Sequence, residues 1–109
     1  MPLHIIEFTI PSQPAYETIP VEWSHSGVVG SGDMEVLLTR TPLGGAVSVK
    51  IVTPVTGYDD IWEKVLRRFA KESGVGDLSI EINDNNSTPY VATARLRQAL
   101  IEAKSKEIR

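Results

Sequence analysis

The stretch from residue 46 to residue 83 reads AVSVKIVTPVTGYDDIWEKVLRRFAKESGVGDLSIEIN, and it decides the fold. Residues 46–55 alternate apolar and polar side chains, which is the period of a half-buried strand. Across residues 59–73 the apolar side chains recur at helical spacing, and from Leu78 the alternation returns. A strand, a helix and a strand in this order predict a right-handed crossover between two parallel strands.

The segments on either side add strands before this unit and a helix after it. Residues 3–10 and 34–40 alternate well enough to predict two further strands, and residues 41–45 are typical of a hairpin-type loop of about five residues. Thr88 followed by Pro89 predicts the start of a final helix. We therefore predict an α/β (α+β) fold, a two-layer sandwich in which a mixed sheet of about four strands carries two helices on one face.

The helices carry further signals for their ends and for the core. Asp59 is expected to cap the first helix, and Gly74 to end it. Basic residues gather near Lys64 and again between Arg95 and Arg109, and we interpret both groups as solvated helix faces. The shared core is predicted to contain Val49, Ile51, Leu66, Phe69, Ile80, Ile82, Leu96 and Leu100.

Composition restricts the classes of function. The 109 residues suit a single domain spanning 1–109. The chain has no cysteine, which excludes disulfides and thiolate metal sites and fits a reducing compartment. A formal charge of -3 argues against a nucleic-acid partner. Without a long apolar run or a signal-peptide pattern, we expect a cytoplasmic protein that does not insert into a membrane.

The glycine-rich string around Ser31 is the first candidate site. Ser31 lies between Gly30 and Gly32, so its neighbours add no side-chain bulk and its hydroxyl can be reached from outside. A hydroxyl that another enzyme modifies needs this access and no internal base. The same residues are also typical of an ordinary turn before a strand, so composition alone leaves both interpretations open.

Catalysis by the chain itself is a weaker hypothesis. Ser31, His25 and Asp33 could in principle form a serine triad, because a serine nucleophile needs a base within hydrogen-bond reach. However, Val29 stands where the G-x-S-x-G motif has its first glycine, and Ser31 precedes a strand where that motif precedes a helix. His4 and His25 also lack partners at metal-ligand spacing. We therefore expect no catalytic and no metal-binding residue.

A resemblance extends this interpretation. The string VVGSGDMEVL at residues 28–37 resembles the modified-serine motif of the malonate decarboxylase acyl carrier subunit, or delta subunit, family. The shorter Ser31-Gly32-Asp33 also resembles the citrate lyase carrier subunit. VSVKIVTPV at residues 47–55 and IEINDNNSTP at residues 80–89 favour the first family. The resemblance runs from about Gly27 to the C-terminal helix and is loosest over the first 20 residues.

The resemblance implies a carrier. Ser31 would hold 2'-(5''-phosphoribosyl)-3'-dephospho-CoA through a covalent phosphodiester, and the thiol of that group would carry acetyl or malonyl while malonate is decarboxylated to acetate. The implied partners are an acetyl-/malonyl-transferase subunit, decarboxylase subunits, a malonyltransferase and a prosthetic-group transferase (holo-carrier synthase). The isolated chain should show no activity. The alternative is a non-catalytic protein-interaction module without a prosthetic group.

Overall fold

A five-stranded mixed sheet forms one layer of the molecule in a computed structural model, which describes residues 3–106. The strands are β1 (His4–Ile10), β2 (Trp23–Gly27), β3 (Asp33–Arg40), β4 (Val47–Thr53) and β5 (Leu78–Asn85). Their spatial order is β1-β4-β5-β3-β2. Only β4 and β5 are parallel, and the other neighbouring pairs are antiparallel.

Two helices, α1 (Asp59–Ser73) and α2 (Pro89–Lys106), form the second layer. The helix α1 connects the neighbouring parallel strands β4 and β5, as predicted for a crossover. The helices contact each other, α2 packs on β2 and β3, and α1 packs towards β1. The predicted fold class is confirmed. Neither helix of residues 3–106 has the length and apolar content needed to cross a membrane.

The core lies between the two layers. On the helix-facing side of the sheet, Val36, Ile51 and Ile80 are fully buried, whereas Lys50 and Glu81 on the opposite face are exposed. This alternation along each strand buries one sheet face and leaves the other open to solvent. Every residue of the predicted core is buried in a single cluster: Val49, Ile51, Leu66, Phe69, Ile80, Ile82, Leu96 and Leu100.

The sheet has one strand more than the predicted count of about four. In β2 the inward-facing side chains are Ser24 and Ser26, and the outward-facing ones are Trp23 and His25. The usual alternation is therefore inverted, and a search for apolar residues on the core face does not detect this strand. The Ser24 hydroxyl donates to the Ala99 carbonyl at 2.7 Å, which satisfies its hydrogen-bonding need inside the core.

The prediction of a hairpin loop at residues 41–45 was wrong. The strands β3 and β4 are not paired, because β5 lies between them and pairs with both. The loop from β3 to β4 is instead held from the side. The Asp77 carboxylate accepts the amides of Leu43 and Gly45 at 2.9 and 2.7 Å.

The helix ends follow two of the three predictions. Tyr58 occupies the N-cap position of α1 without a side-chain cap, so the prediction for Asp59 was wrong; its carboxylate lies 2.9 Å from His4 Nε2. Gly74 ends α1 in the left-handed conformation, as predicted. Thr88 Oγ1 accepts the Val91 amide at 3.2 Å, which confirms the predicted start of α2.

Candidate functional site at the Ser31 loop

Residues 28–32, the Ser31 loop, form the tip of an antiparallel hairpin between β2 and β3. Ser31 and Gly32 are both exposed, and the side chains of Val28 and Val29 also face solvent. The strand β3 continues directly from this tip into the middle of the sheet. A rigid sheet thus carries an exposed loop at its end.

Three backbone hydrogen bonds give the Ser31 loop its shape. The Gly30 amide donates to the Val28 carbonyl at 2.9 Å, and the Asp33 amide donates to the Gly30 carbonyl at 3.0 Å. The Gly32 amide donates to the Asn85 carbonyl of β5 at 2.8 Å. Because these bonds use only main-chain atoms, the side chain of Ser31 has no part in maintaining the turn.

The surroundings of the Ser31 side chain are open. Within residues 3–106 no group forms a hydrogen bond with its hydroxyl. A methyl group built on Gly30 or on Gly32 would meet no atom within 4 Å. The hydroxyl is therefore accessible, and the space around it can accept a large substituent.

An ion pair anchors the base of the loop to α2. Arg95 donates from Nε to Asp33 Oδ1 at 2.9 Å and from Nη2 to Asp33 Oδ2 at 2.7 Å, in a bidentate arrangement. The hydrogen bonds from Arg95, and a further one from the Met34 amide, lower the pKa of Asp33. The same bonds to Asp33 raise the pKa of Arg95. Arg95 also donates to Gln98, which in turn accepts from the buried Ser26 hydroxyl.

Each of the two histidines is paired with a carboxylate other than that of Asp33. His25 lies on the open face of the sheet, where its Nε2 is 3.0 Å from Glu35 Oε2. The hydrogen bond from His25, and a second one from Asn83, lower the pKa of Glu35. His4 is on β1, at the opposite edge of the sheet from β2.

The structure does not bring together the triad of Ser31, His25 and Asp33 that was considered as the weaker hypothesis. The carboxylate of Asp33 pairs with Arg95 and the ring of His25 pairs with Glu35, and within residues 3–106 neither forms a hydrogen bond with the Ser31 hydroxyl. Across residues 3–106 there is also no cluster of three His, Cys, Asp or Glu side chains that could hold a metal ion. Ser31 is thus an accessible hydroxyl to which no base is hydrogen-bonded among the described residues.

Sequence reasoning missed the contribution of Arg95. The interpretation of the basic residues from Arg95 onward as a solvated face is wrong for Arg95, because its guanidinium is paired with a carboxylate 62 residues earlier. No spacing rule connects two residues so far apart.

Comparison with known proteins gives a consistent family. Residues 22–103 match the family model described as malonate decarboxylase delta subunit (MdcD). The malonate decarboxylase acyl carrier protein of Malonomonas rubra is 58% identical over 83 residues, covering 76% of this chain and 74% of the relative. The protein of the same name from Burkholderia cepacia is 44% identical over 104 residues, covering 94% of this chain and 93% of the relative.

A solved structure agrees with these relatives. A chain in the crystal structure of a Pseudomonas malonate decarboxylase hetero-tetramer in complex with malonate is 30% identical to this one, with a TM-score of 0.71. The similarity covers 94% of this chain and 99% of that chain, so it extends through both layers of the fold. The chain therefore belongs to the malonate decarboxylase delta subunit family of acyl carrier proteins.

Proposed function

We propose that this chain is the acyl carrier subunit of a malonate decarboxylase, and that Ser31 is its attachment residue. The observation that best supports this role is the exposed Ser31 hydroxyl, which lies at a hairpin tip with no partner among residues 3–106 and with open space on both sides. The group proposed for Ser31 is 2'-(5''-phosphoribosyl)-3'-dephospho-CoA, joined through a phosphodiester. Its thiol would hold acetyl or malonyl as a thioester.

The surroundings of Ser31 suit a residue that is modified by another protein. A serine hydroxyl becomes a nucleophile only when a base removes its proton, and among residues 3–106 no base is hydrogen-bonded to Ser31. The prosthetic-group transferase (holo-carrier synthase) must therefore supply the base. It needs an accessible hydroxyl, which the tip of the loop provides.

The contribution of the chain is to hold in place the loop to which the prosthetic group is attached. The Asp33–Arg95 ion pair and the Gly32–Asn85 hydrogen bond hold the base of the loop against α2 and β5. A flexible prosthetic group attached to a rigid domain raises the effective concentration of its thiol at each partner site, to the millimolar range for short flexible linkers. The carrier body then needs only to dock.

The proposed partners are those of a carrier that moves between active sites. They are the acetyl-/malonyl-transferase subunit, the decarboxylase subunits, the malonyltransferase and the prosthetic-group transferase. The similarity to one chain of a malonate decarboxylase hetero-tetramer supports assembly with other subunits. We propose that this assembly works in the cytoplasm.

Intact-mass measurement tests the attachment residue. After co-expression with candidate prosthetic-group transferases, the unsubstituted chain should gain the mass of the prosthetic group, and Ser31→Ala should gain none. Loss of loading should be complete, because no other hydroxyl lies at the tip of the loop. Ser105→Ala removes a different exposed serine and should load normally.

The Malonomonas rubra relative serves as the positive control for the modifying enzymes. If it is loaded and the present chain is not, the carrier role is wrong and the protein-interaction module becomes the better hypothesis. If Ser31→Ala still gains the adduct, the attachment residue is wrong. Peptide mapping of the loaded chain then identifies the modified residue.

A further inference from the structure

A cavity of about 310 Å³ opens at the same end of the molecule as the Ser31 loop. It lies between the start of α1, the end of β5 and the start of α2. Its walls include Tyr58, Ile61, Trp62, Asn86, Ser87 and Thr88. This volume is at the lower limit of the range typical of small-molecule sites.

The cavity is close to the proposed attachment residue. The Gly32 amide is hydrogen-bonded to the Asn85 carbonyl, and Asn86, the next residue of the chain, forms part of the cavity wall. Asp33 and Asn85 are paired in register. With steps of about 3.8 Å between consecutive Cα atoms and about 5.5 Å across the strand pair, the Cα atoms of Ser31 and Asn86 are no more than about 17 Å apart.

The chemistry of the walls selects for a neutral, flat ligand. Tyr58, half-exposed, and Trp62 present aromatic surface, and Asn86, Ser87 and Thr88 supply polar groups at the rim. Among the described side chains that line the cavity, none is basic, and one is the carboxylate of Asp84. A phosphate or a malonyl carboxylate would therefore find no countercharge here.

Asp84 does not need a ligand of its own. Its carboxylate is buried and accepts hydrogen bonds from the Thr53 hydroxyl at 2.8 Å and from the Asn86 and Ser87 amides at 3.2 and 2.9 Å. The Ser87 hydroxyl also donates to it. These bonds fix the segment from β5 to α2, so the wall nearest the Ser31 loop is formed in advance.

We propose that this cavity binds the adenosine part of the group carried by Ser31, so that only the pantetheine arm swings freely. The inference rests on the proposed function. As the name of the group states, a single phosphoribosyl unit separates the attachment point from the adenosine ribose, so adenine is the base nearest the tether. Because the tether supplies a millimolar effective concentration, a weak intrinsic affinity is enough to fill the cavity.

The test is an NMR experiment on the full chain loaded at Ser31, with loading verified by intact mass. In the unsubstituted chain, the adenine H2 and H8 resonances should have the line widths of the protein, shifted positions relative to free dephospho-CoA, and cross-peaks to the Trp62 ring. Tyr58→Ala should lower the bound-to-free ratio about tenfold, as expected for loss of one aromatic–base stack.

Tyr90→Ala is the matched control. Tyr90 is also an exposed tyrosine close to a helix start, but it is not among the residues that line the cavity. This variant should keep the adenine signals of the unsubstituted chain. Ile61→Ala, another partly exposed wall position, is the second test variant and should weaken the adenine contacts in the same direction.

The outcomes separate this inference from the function on which it rests. Narrow adenine lines at the positions of free dephospho-CoA, on a chain that carries the adduct, would overturn the inference and leave the carrier role intact. Cross-peaks to Trp62 from the pantetheine methyl groups instead of adenine would overturn the assigned occupant. Absence of any adduct would overturn the carrier role and this inference together.

Discussion

Two glycine-containing loops flank β3, and they use glycine for opposite purposes. The Ser31 loop enters the strand, and residues 41–46, the Gly45 loop, leave it at the other end. A methyl group built on Gly45 would lie 2.2 Å from Ser12 Oγ and 2.6 Å from the Tyr16 ring, whereas one built on Gly30 or Gly32 would meet nothing within 4 Å. Glycine allows close packing in the first case and leaves open space in the second.

The two loops also differ in how they are held. Asp77 accepts both the Gly45 and the Leu43 amides, and these two bonds, in that order, lower the pKa of Asp77. The Ser31 loop is anchored at its base through Asp33, and its tip receives no side-chain hydrogen bond from the part of the chain that the structure describes. Sparse packing permits local mobility, so the loop with little support is the one that can present a modified residue.

Replacement of Gly45 by alanine should have the largest effect on stability. The residue has a φ of 90° and is surrounded by Ser12 and Tyr16, so Gly45→Ala adds both backbone strain and a clash. We expect a loss of about 2–4 kcal/mol in the free energy of unfolding, measured by urea denaturation.

Gly44→Ala is the matched control for that change. Gly44 also has a positive φ, 64°, but a methyl group there would meet no atom within 4 Å. It should cost about 1–2 kcal/mol, from backbone strain alone. Equal losses for the two variants would show that close packing does not distinguish the Gly45 loop.

Titration of Asp33 should have a smaller and pH-dependent effect. Because the fold lowers the pKa of Asp33, the ion pair with Arg95 stabilises the folded chain above the usual aspartate pKa of about 3.9. This contribution is lost as the pH falls through the lowered value. Asp33→Asn should therefore lower the urea midpoint at pH 7, and the difference from the unsubstituted chain should shrink steadily below about pH 4.

An exposed carboxylate on α2 provides the control for acid effects. Glu102 is exposed and forms no ion pair with any residue of the described range 3–106. Glu102→Gln should leave the urea midpoint nearly unchanged at both pH values. A difference for Asp33→Asn that persists undiminished at low pH would contradict the electrostatic role of the ion pair.

The sequence predicted the parts of this comparison that depend on local patterns. Regular periodicity gave β4, α1 and β5, and the Gly30-Ser31-Gly32 string gave an exposed turn before β3. Two features of the fold have no local pattern. The strand β2 has serines on its inward face, so it lacks the apolar alternation by which a strand is recognised in a sequence. The position of β5 between β3 and β4 depends on long-range pairing, which the loop at residues 41–45 does not encode.

The site, like the fold, was predictable from the sequence only where it depends on local residues. The position of Ser31 on a loop follows from its neighbours, but the Asp33–Arg95 ion pair joins residues far apart in the chain. The wall around Asp84 is a similar case, because Asp84 is buried and bonds to Thr53, which lies 31 residues earlier at the end of β4. Such contacts depend on which elements become neighbours.

The smallest effect is expected at Gly30, and it makes the comparison between the loops sharper. The φ of Gly30 is not in the left-handed region, and space for a methyl group is open, so Gly30→Ala should change the free energy of unfolding by no more than about 0.5 kcal/mol. Gly32→Ala has the same open space but a φ of 76°, and should cost about 1–2 kcal/mol. Neither Gly30→Ala nor Gly32→Ala introduces a clash. The difference between their free energies of unfolding, measured by urea denaturation, therefore gives the cost of backbone strain in the Ser31 loop. A loss at Gly30 as large as that at Gly45 would mean that the Ser31 loop is packed as tightly as its counterpart, and the reason for placing the tether there would disappear.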